Sequence, residues 1–224
     1  MTLIVAIDGP SGAGKSTVAR LLAHRLNVPY IDTGAMYRAV GLAAREAGIR
    51  LPISETERVV DLARNGKIDL EPMPEGVRVL WNGKDVSTAI RQPEISTYAS
   101  AVSAIPGVRR RLVFEQQRLG RERGGVLEGR DIGTHVFPET PHKFFLTAPV
   151  EVRAERRRHE LAQRGVVHAY GDVLAEMTRR DHDDSNREDS PLTMDERYRL
   201  VDSAGKDVSA VVAEIEACVR RAGG

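Results

Sequence analysis

The sequence predicts an α/β fold: a parallel central sheet of about five strands covered by helices on both faces, with a small β insertion in one connection. Three observations predict it. Short apolar runs alternate with helical patterns along the 224 residues, and that alternation builds parallel sheets. The first run, Leu3–Ile7, is continuously apolar, as suits a strand buried on both faces. The residues after it, Gly9–Ser16, read GPSGAGKS and fit G-x-x-x-x-G-K-[ST] between a strand and a helix. In that context the motif is a phosphate-binding loop, and the fold expected is the three-layer, P-loop NTPase-like one.

Each element has its own signal. A helix should start near Lys15, with Val18, Leu21, Leu22 and Leu26 inward. Val28–Ile31 reads as a second strand, and Ala35–Ala47 as a helix closed by Gly48. Ser54 and Glu57 have the spacing of a capping box for a helix running to about Arg64. The pattern then changes. Lys67–Leu70 and Val77–Trp81 are strand-like and flank a turn-rich EPMPEG, and Asn82–Gly83 is a hairpin signal leading into Lys84–Val86. Helical character returns near Gln92, breaks at Pro106–Gly107, and continues as a basic helix from Val108 to about Arg123, ended by Gly124–Gly125. Val126–Glu128 and Lys143–Leu146 are the third and fourth core strands. Pro149 starts an arginine-rich helix, Tyr170–Asp184 reads as another, and Leu200–Asp202 is the fifth strand. Asp207–Ala222 closes the chain as a helix, with Val208, Val211, Val212, Ile215 and Val219 spaced for one buried face.

Composition narrows the function. A hydrophobic content of 41% with 29% charged residues is that of a globular domain. A net charge of +1 argues against a general nucleic-acid binder, which carries a large basic excess. Cys218 is the one cysteine, so no disulfide framework can form. No apolar stretch is long enough to span a membrane, and the five-residue run before Asp8 is too short for a signal peptide. A cytoplasmic protein is expected. His159–Glu160 opens like a zinc motif, but Gln163 stands where its second histidine should be. Asp181, Asp183 and Ser185 mimic a calcium loop, but Asn186 and Leu192 stand where its glycine and closing glutamate should be.

In the phosphate loop, glycines let backbone N–H groups turn around phosphate oxygens, and the following helix points its positive end at the same place. Lys15 adds a point charge for the β and γ phosphates, and the Ser16 hydroxyl can ligate Mg²⁺. The loop alone leaves three outcomes. A switch GTPase needs a guanine-reading N-K-x-D segment, which is absent. A hydrolytic ATPase needs a Walker B acid. The best strand for one ends at Glu128 and runs into Gly129–Arg130–Asp131, which resembles a basic–acidic reading pair. Transfer to a small acceptor needs a second, arginine-rich phosphate site. Arg38, Arg109, Arg130, Arg153, Arg156, Arg157, Arg158, Arg179, Arg180 and Arg187 supply candidates, because the planar guanidinium binds phosphate bidentately and stays charged. Arg38 and Arg130 fall just past strand C-termini, where open α/β sheets bind ligands. For Arg153–Arg158 a solvated helix surface, with Glu151, Glu155 and Glu160 as partners, is an equal alternative.

The segments IDGPSGAGKST, IDTGAMYR, NGKDVSTAIR, ISTYASAVSAIPGVRRRL, LEGRDIGTHVFPET and RRDHDDSNREDSPL, in that order, resemble the bacterial cytidylate kinases, within the nucleoside monophosphate kinases. The resemblance covers nearly the whole chain. It implies ATP-dependent, Mg²⁺-assisted phosphorylation of CMP and dCMP to CDP and dCDP, in pyrimidine nucleotide metabolism, by a monomer. It implies one domain over 1–224, with a core at about 1–60 and 105–224, a monophosphate-binding insertion at about 61–104, and a helical lid at about 150–172. Gly9, Pro10, Ser11, Gly12, Ala13, Gly14, Lys15, Ser16 and Thr17 resemble the ATP-binding loop. Thr33, Tyr37, Arg38, Ser100, Arg109, Arg130, Asp131, Arg180, Asp184 and Arg187 resemble the CMP site. Within it Arg38, Arg130 and Arg187 resemble the acceptor-phosphate clamp. Ser100, Arg109 and Asp131 resemble the readers of the cytosine edge, and Arg180 and Asp184 the ribose pair. The catalytic charges implied are Lys15, Arg130 and the lid residues Arg153 and Arg157, with Arg156 beside them.

Overall fold

A computed structural model describes residues 2–73, 76–163 and 165–222. The strands are β1 (Ile4–Asp8), β2 (Tyr30–Asp32), β3 (Ile68–Met73), β4 (Gly76–Trp81), β5 (Lys84–Asp85), β6 (Gly125–Gly129), β7 (His142–Thr147) and β8 (Arg199–Asp202). The helices are α1 (Lys15–Leu26), α2 (Thr33–Glu46), α3 (Thr56–Asn65), α4 (Pro93–Ser103), α5 (Pro106–Arg123), α6 (Val150–Gln163), α7 (Tyr170–Asn186) and α8 (Val208–Ala222). The fold class is the expected one: a parallel five-stranded sheet, in the order β2-β6-β1-β7-β8, and a separate antiparallel sheet, β3-β4-β5.

The chain forms two compact units, one of residues 1–3 and 28–127, the other of residues 4–27 and 128–224. In the first, α2 lies against α4 and α3 against α5. The β3–β4 hairpin pairs Ile68 with Trp81 and Leu70 with Val79, so alternate residues share the buried face. The strands reach further into EPMPEG than expected, to Met73 and from Gly76. The centre of that expected turn, Pro74–Glu75, lies outside the described residues. In the second unit, β1 runs parallel to β7 with Val5 opposite His142, and β7 parallel to β8 with Phe144 opposite Arg199. Helix α8 packs on α1, and α7 on α6.

Three sequence expectations need correction. Leu21 is exposed, because the buried stripe of α1 is Lys15, Val18, Ala19, Leu22 and Ala23, and Leu21 falls off it. Val208 opens α8 but is also exposed, ahead of the buried Val211, Val212, Ile215 and Val219. The Ser54–Glu57 capping box does not form: α3 starts at Thr56, its N-cap is Glu55, and no side chain caps it. Glu55 instead accepts from Arg58, whose other nitrogen donates 2.8 Å to the Ala47 carbonyl.

Candidate active site

The phosphate loop follows β1 because glycine meets backbone conformations that other residues avoid. Gly9 has φ +145°, Gly12 +73° and Gly14 +93°. At Gly9 a Cβ would stand 2.0 Å from the Leu146 carbonyl oxygen on β7. Gly9→Ala should therefore cost about 2–4 kcal/mol of stability, measured by denaturant unfolding, since both strain and a backbone clash oppose it. Gly14 is the N-cap of α1, and no side chain caps that helix. The first-turn amides of a helix lack intrahelical partners, so this end favours an anion. Ser16 and Thr17 are exposed on that turn.

Lys15 is buried, and its Nζ donates 2.7 Å to the Pro10 carbonyl. Burial, and then the charge of Arg130, hold its ammonium well below the ordinary value, with Arg180 adding repulsion and Glu128 and Asp184 opposing it. The Arg130 and Arg180 charges thus act on Lys15 together with the Glu128 and Asp184 carboxylates.

The same unit orders a lattice of arginines and carboxylates on the segment after β6 and on α7. Arg130 Nε lies 2.7 Å from Asp184 Oδ2. Arg187 stands 3.7 Å from Asp184 Oδ1 and 3.7 Å from Asp131 Oδ1, and its Nε donates 2.6 Å to the Ser190 carbonyl. Burial would raise the Asp184 carboxyl, but the Arg130, Arg180 and Arg187 charges outweigh it and hold it below the usual range.

Arg153 is a buried anchor. Its guanidinium donates 3.0 Å to the Ser11 carbonyl in the phosphate loop and 2.8 Å to the Ala148 carbonyl, and pairs with Asp181 on α7 at 2.7 Å. Arg156 donates to the Ser203 hydroxyl and carbonyl at 2.9 and 2.8 Å. Arg157 and Arg158 make local pairs with Glu160 and Glu155, the surface role that the helix pattern left open. A cavity of about 1200 Å³ lies beside the loop, lined in part by Gly14, Thr17, Arg156, His159, Lys206 and Val208. That is room for a nucleoside.

The first unit holds the remaining candidates. The Asp32 carboxylate accepts from Ala35 N at 2.8 Å and caps α2, which starts at the buried Thr33. Tyr37 and Arg38 follow within two turns, half-buried. Arg109, on α5, is 2% exposed; its guanidinium lies 5.5 Å from the Tyr37 ring centre and donates 3.2 Å to the Ser103 carbonyl. The Ser103 hydroxyl donates 2.8 Å to the Ser100 carbonyl, so Tyr37, Arg109 and the Ser100–Ser103 turn form one cluster.

Sequence reading passed over two buried residues of the second unit. Asp8 ends β1, and its carboxylate accepts from the N–H groups of Ile132 and Gly133 and from the Tyr198 hydroxyl. The only signal for Asp8 was a charge closing an otherwise apolar run; Tyr198 had none.

The family model of cytidylate kinase matches residues 5–221 of the chain. The chain belongs to the cytidylate kinase family. It is similar to a cytidylate kinase from Caldanaerobacter subterraneus subsp. tengcongensis, 46% identical over 221 residues, 99% of this chain and 96% of that one. A cytidylate kinase from Symbiobacterium thermophilum is 44% identical, covering 98% and 96% of the two chains. A bifunctional pantoate ligase/cytidylate kinase from Synechococcus is 47% identical over 192 residues, 84% of this chain and 35% of that longer protein. Among solved structures, an uncharacterized protein from Eubacterium ventriosum superposes with a TM-score of 0.54 over 97% of this chain and 98% of its own, at 13% identity. At that identity the likeness speaks for the fold alone.

Proposed function

We propose that the chain transfers the γ-phosphoryl group of ATP to CMP and dCMP, yielding ADP with CDP or dCDP, in pyrimidine nucleotide metabolism. The observation that carries this reading is the glycine-rich loop at the N-terminus of α1, whose buried Lys15 lies close enough to Arg130 and Arg180 for their charges to act on it. Mutual repulsion and burial are relieved there by polyanions, and phosphoryl transfer asks for positive charge around the moving group.

The roles divide by residue. The Gly9–Thr17 loop holds the donor phosphates through its N–H groups, Pro10 having none, Lys15 spans donor and transferring groups, and the cavity beside Gly14 and Thr17 takes the donor nucleoside. Arg38, Arg130 and Arg187 take the acceptor phosphate, with Thr33 and Tyr37 supporting it. Ser100, Arg109 and Asp131 read the cytosine edge, which offers an exocyclic amine to a carboxylate and ring acceptors to a guanidinium. Arg180 and Asp184 hold the ribose. No general base is required, since the acceptor phosphate is already an anion. Arg153 serves by bracing the Ser11 carbonyl, while Arg157 belongs to a lid over about 150–172 that excludes water. The insertion at about 61–104 serves the monophosphate.

Mg²⁺ fits this site as an ion brought by the triphosphate. Ser16 sets an exposed hydroxyl on the first turn of α1, and among the described residues no group of three or more His, Cys, Asp or Glu side chains forms a cage of its own. When bound, the ion would neutralise phosphate charge. Among the described residues no helix is long and apolar enough to cross a membrane. We take the protein to act as a cytoplasmic monomer with ATP and CMP or dCMP as its partners.

Initial rates across CMP, dCMP, UMP and AMP test the reading. CMP and dCMP should lead. Equal or faster turnover of AMP, or ADP formation that ignores CMP, would overturn it. Asp184→Ala should slow both substrates, because it also strips Arg130 and Arg187 of their partner. CMP should lose about tenfold more in kcat/KM than dCMP, the worth of a hydrogen bond between a hydroxyl and a charged group. Equal losses would remove the ribose role.

A further inference from the structure

We infer that the Asp8 carboxylate, braced by the Tyr198 hydroxyl, is a positioning residue for CMP: it caps the turn after Arg130–Asp131 in place of Asp131, whose carboxylate stays beside Arg187 and faces the nucleotide. The inference rests on the acceptor-side role proposed above for Arg130 and Asp131.

Asp8 is fully buried at the end of β1. Its Oδ1 accepts from Ile132 N at 2.9 Å, and its Oδ2 from Gly133 N at 2.9 Å and the Tyr198 hydroxyl at 2.7 Å. Ile132 and Gly133 open a π-helical turn, Ile132–Val136. First-turn amides of any helix need acceptors from outside it, and the usual supplier is the side chain at the N-cap. Here the N-cap residue is Asp131, a residue type well suited to capping, yet its side chain makes no capping bond. Its Oδ1 lies instead 3.7 Å from Arg187. A carboxylate distant in sequence has taken over the capping, which leaves the local one for the site.

Tyr198 holds the arrangement in place. Its ring meets Phe145 edge-on at 6.2 Å, and Lys143 Nζ lies 6.0 Å from its centre. A Cβ at Gly133 would come within 2.6 Å of the Tyr198 hydroxyl, so the turn sits directly on it. The titratable groups Asp131 after β6, Lys143 on β7 and Tyr198 before β8 interact with Asp8. Burial, the largest influence, pushes the Asp8 carboxyl up to about 6, with Asp131 adding to it and the three hydrogen bonds opposing.

Asp8→Asn keeps the shape but has one acceptor oxygen for three donors. Asp131 should then turn back to cap its own turn. The expected result is a rise of about tenfold in KM for CMP with KM for ATP unchanged, the scale of one charge-assisted hydrogen bond. The ratio of wild-type to Asp8→Asn kcat/KM for CMP should fall towards one as pH drops through about 6, where Asp8 itself gains a proton. Nucleotide ionisation is common to both enzymes and cancels in that ratio. Tyr198→Phe, a smaller change to packing, should move that midpoint to higher pH. Equal rises in both KM values, a fall in melting temperature alone, or a ratio flat with pH would each overturn the inference. An Asp131→Asn control separates the two layers. If it raises KM for CMP and Asp8→Asn does not, the inference falls and the reading of the site stands; if it leaves CMP binding untouched, the reading falls and takes the inference with it.

Discussion

Lys15→Met should lower kcat by about 10³-fold, the scale on which single charges act in phosphoryl transfer, without making the ligand-free protein less stable. The two halves of this expectation have one cause. Burial, and then the charge of Arg130, hold the Lys15 ammonium well below 10.5, with Arg180 adding to them and Glu128 and Asp184 opposing. A group whose folded-state pKa is depressed in this way burdens the fold at neutral pH; the burden fades as pH rises from the folded value towards 10.5. Methionine fills much of the same volume without the charge, so calorimetry of the ligand-free variant should show an unchanged or higher melting temperature. Adding ATP with Mg²⁺ should stabilise the wild type strongly and the variant weakly, since stabilisation follows affinity. A variant that keeps near-normal turnover would remove Lys15 from the transfer.

The phosphate loop was legible because its chemistry is written in backbone requirements. A left-handed N-cap such as Gly14, at φ +93°, strongly favours glycine. Why Gly9 admits no side chain was not legible, because the Leu146 carbonyl that excludes one arrives from a strand far along the chain. The same limit applies to charge. In α6 the arginines look alike in sequence, yet Arg153 is buried beside Ala154 while Arg158 is exposed and paired with Glu155. The helical period holds the clue, since Arg153 shares the stripe of Val150, Ala154 and Leu161. Nothing local says that a carbonyl and a carboxylate will meet it there. Strand order, too, was outside reach, because alternation fixes parallel pairing without saying which strands are neighbours.

Arg130→Met should lower kcat/KM for CMP by about 10³-fold and also destabilise the fold by about 3–5 kcal/mol, because it strands a buried carboxylate. Arg130 Nε lies 2.7 Å from Asp184, and Arg187 reaches that carboxylate only at 3.7 Å. In the wild type the Asp184 carboxyl sits below 3.8, so its contribution to stability is present above that pH and lost as pH falls through the folded value. Without Arg130 the folded value rises and that contribution shrinks, so acid unfolding should begin at higher pH. The double variant Arg130→Met/Asp184→Leu separates structure from chemistry. Replacing both members of a buried pair by apolar groups of similar size is often neutral for stability, so denaturant unfolding should recover towards wild type. Turnover should not recover, because no guanidinium is left at that position for the acceptor phosphate. Recovery of both would show that Arg130 serves the fold alone. Recovery of stability with turnover still well below that of Asp184→Leu alone would place the Arg130 charge on the acceptor phosphate.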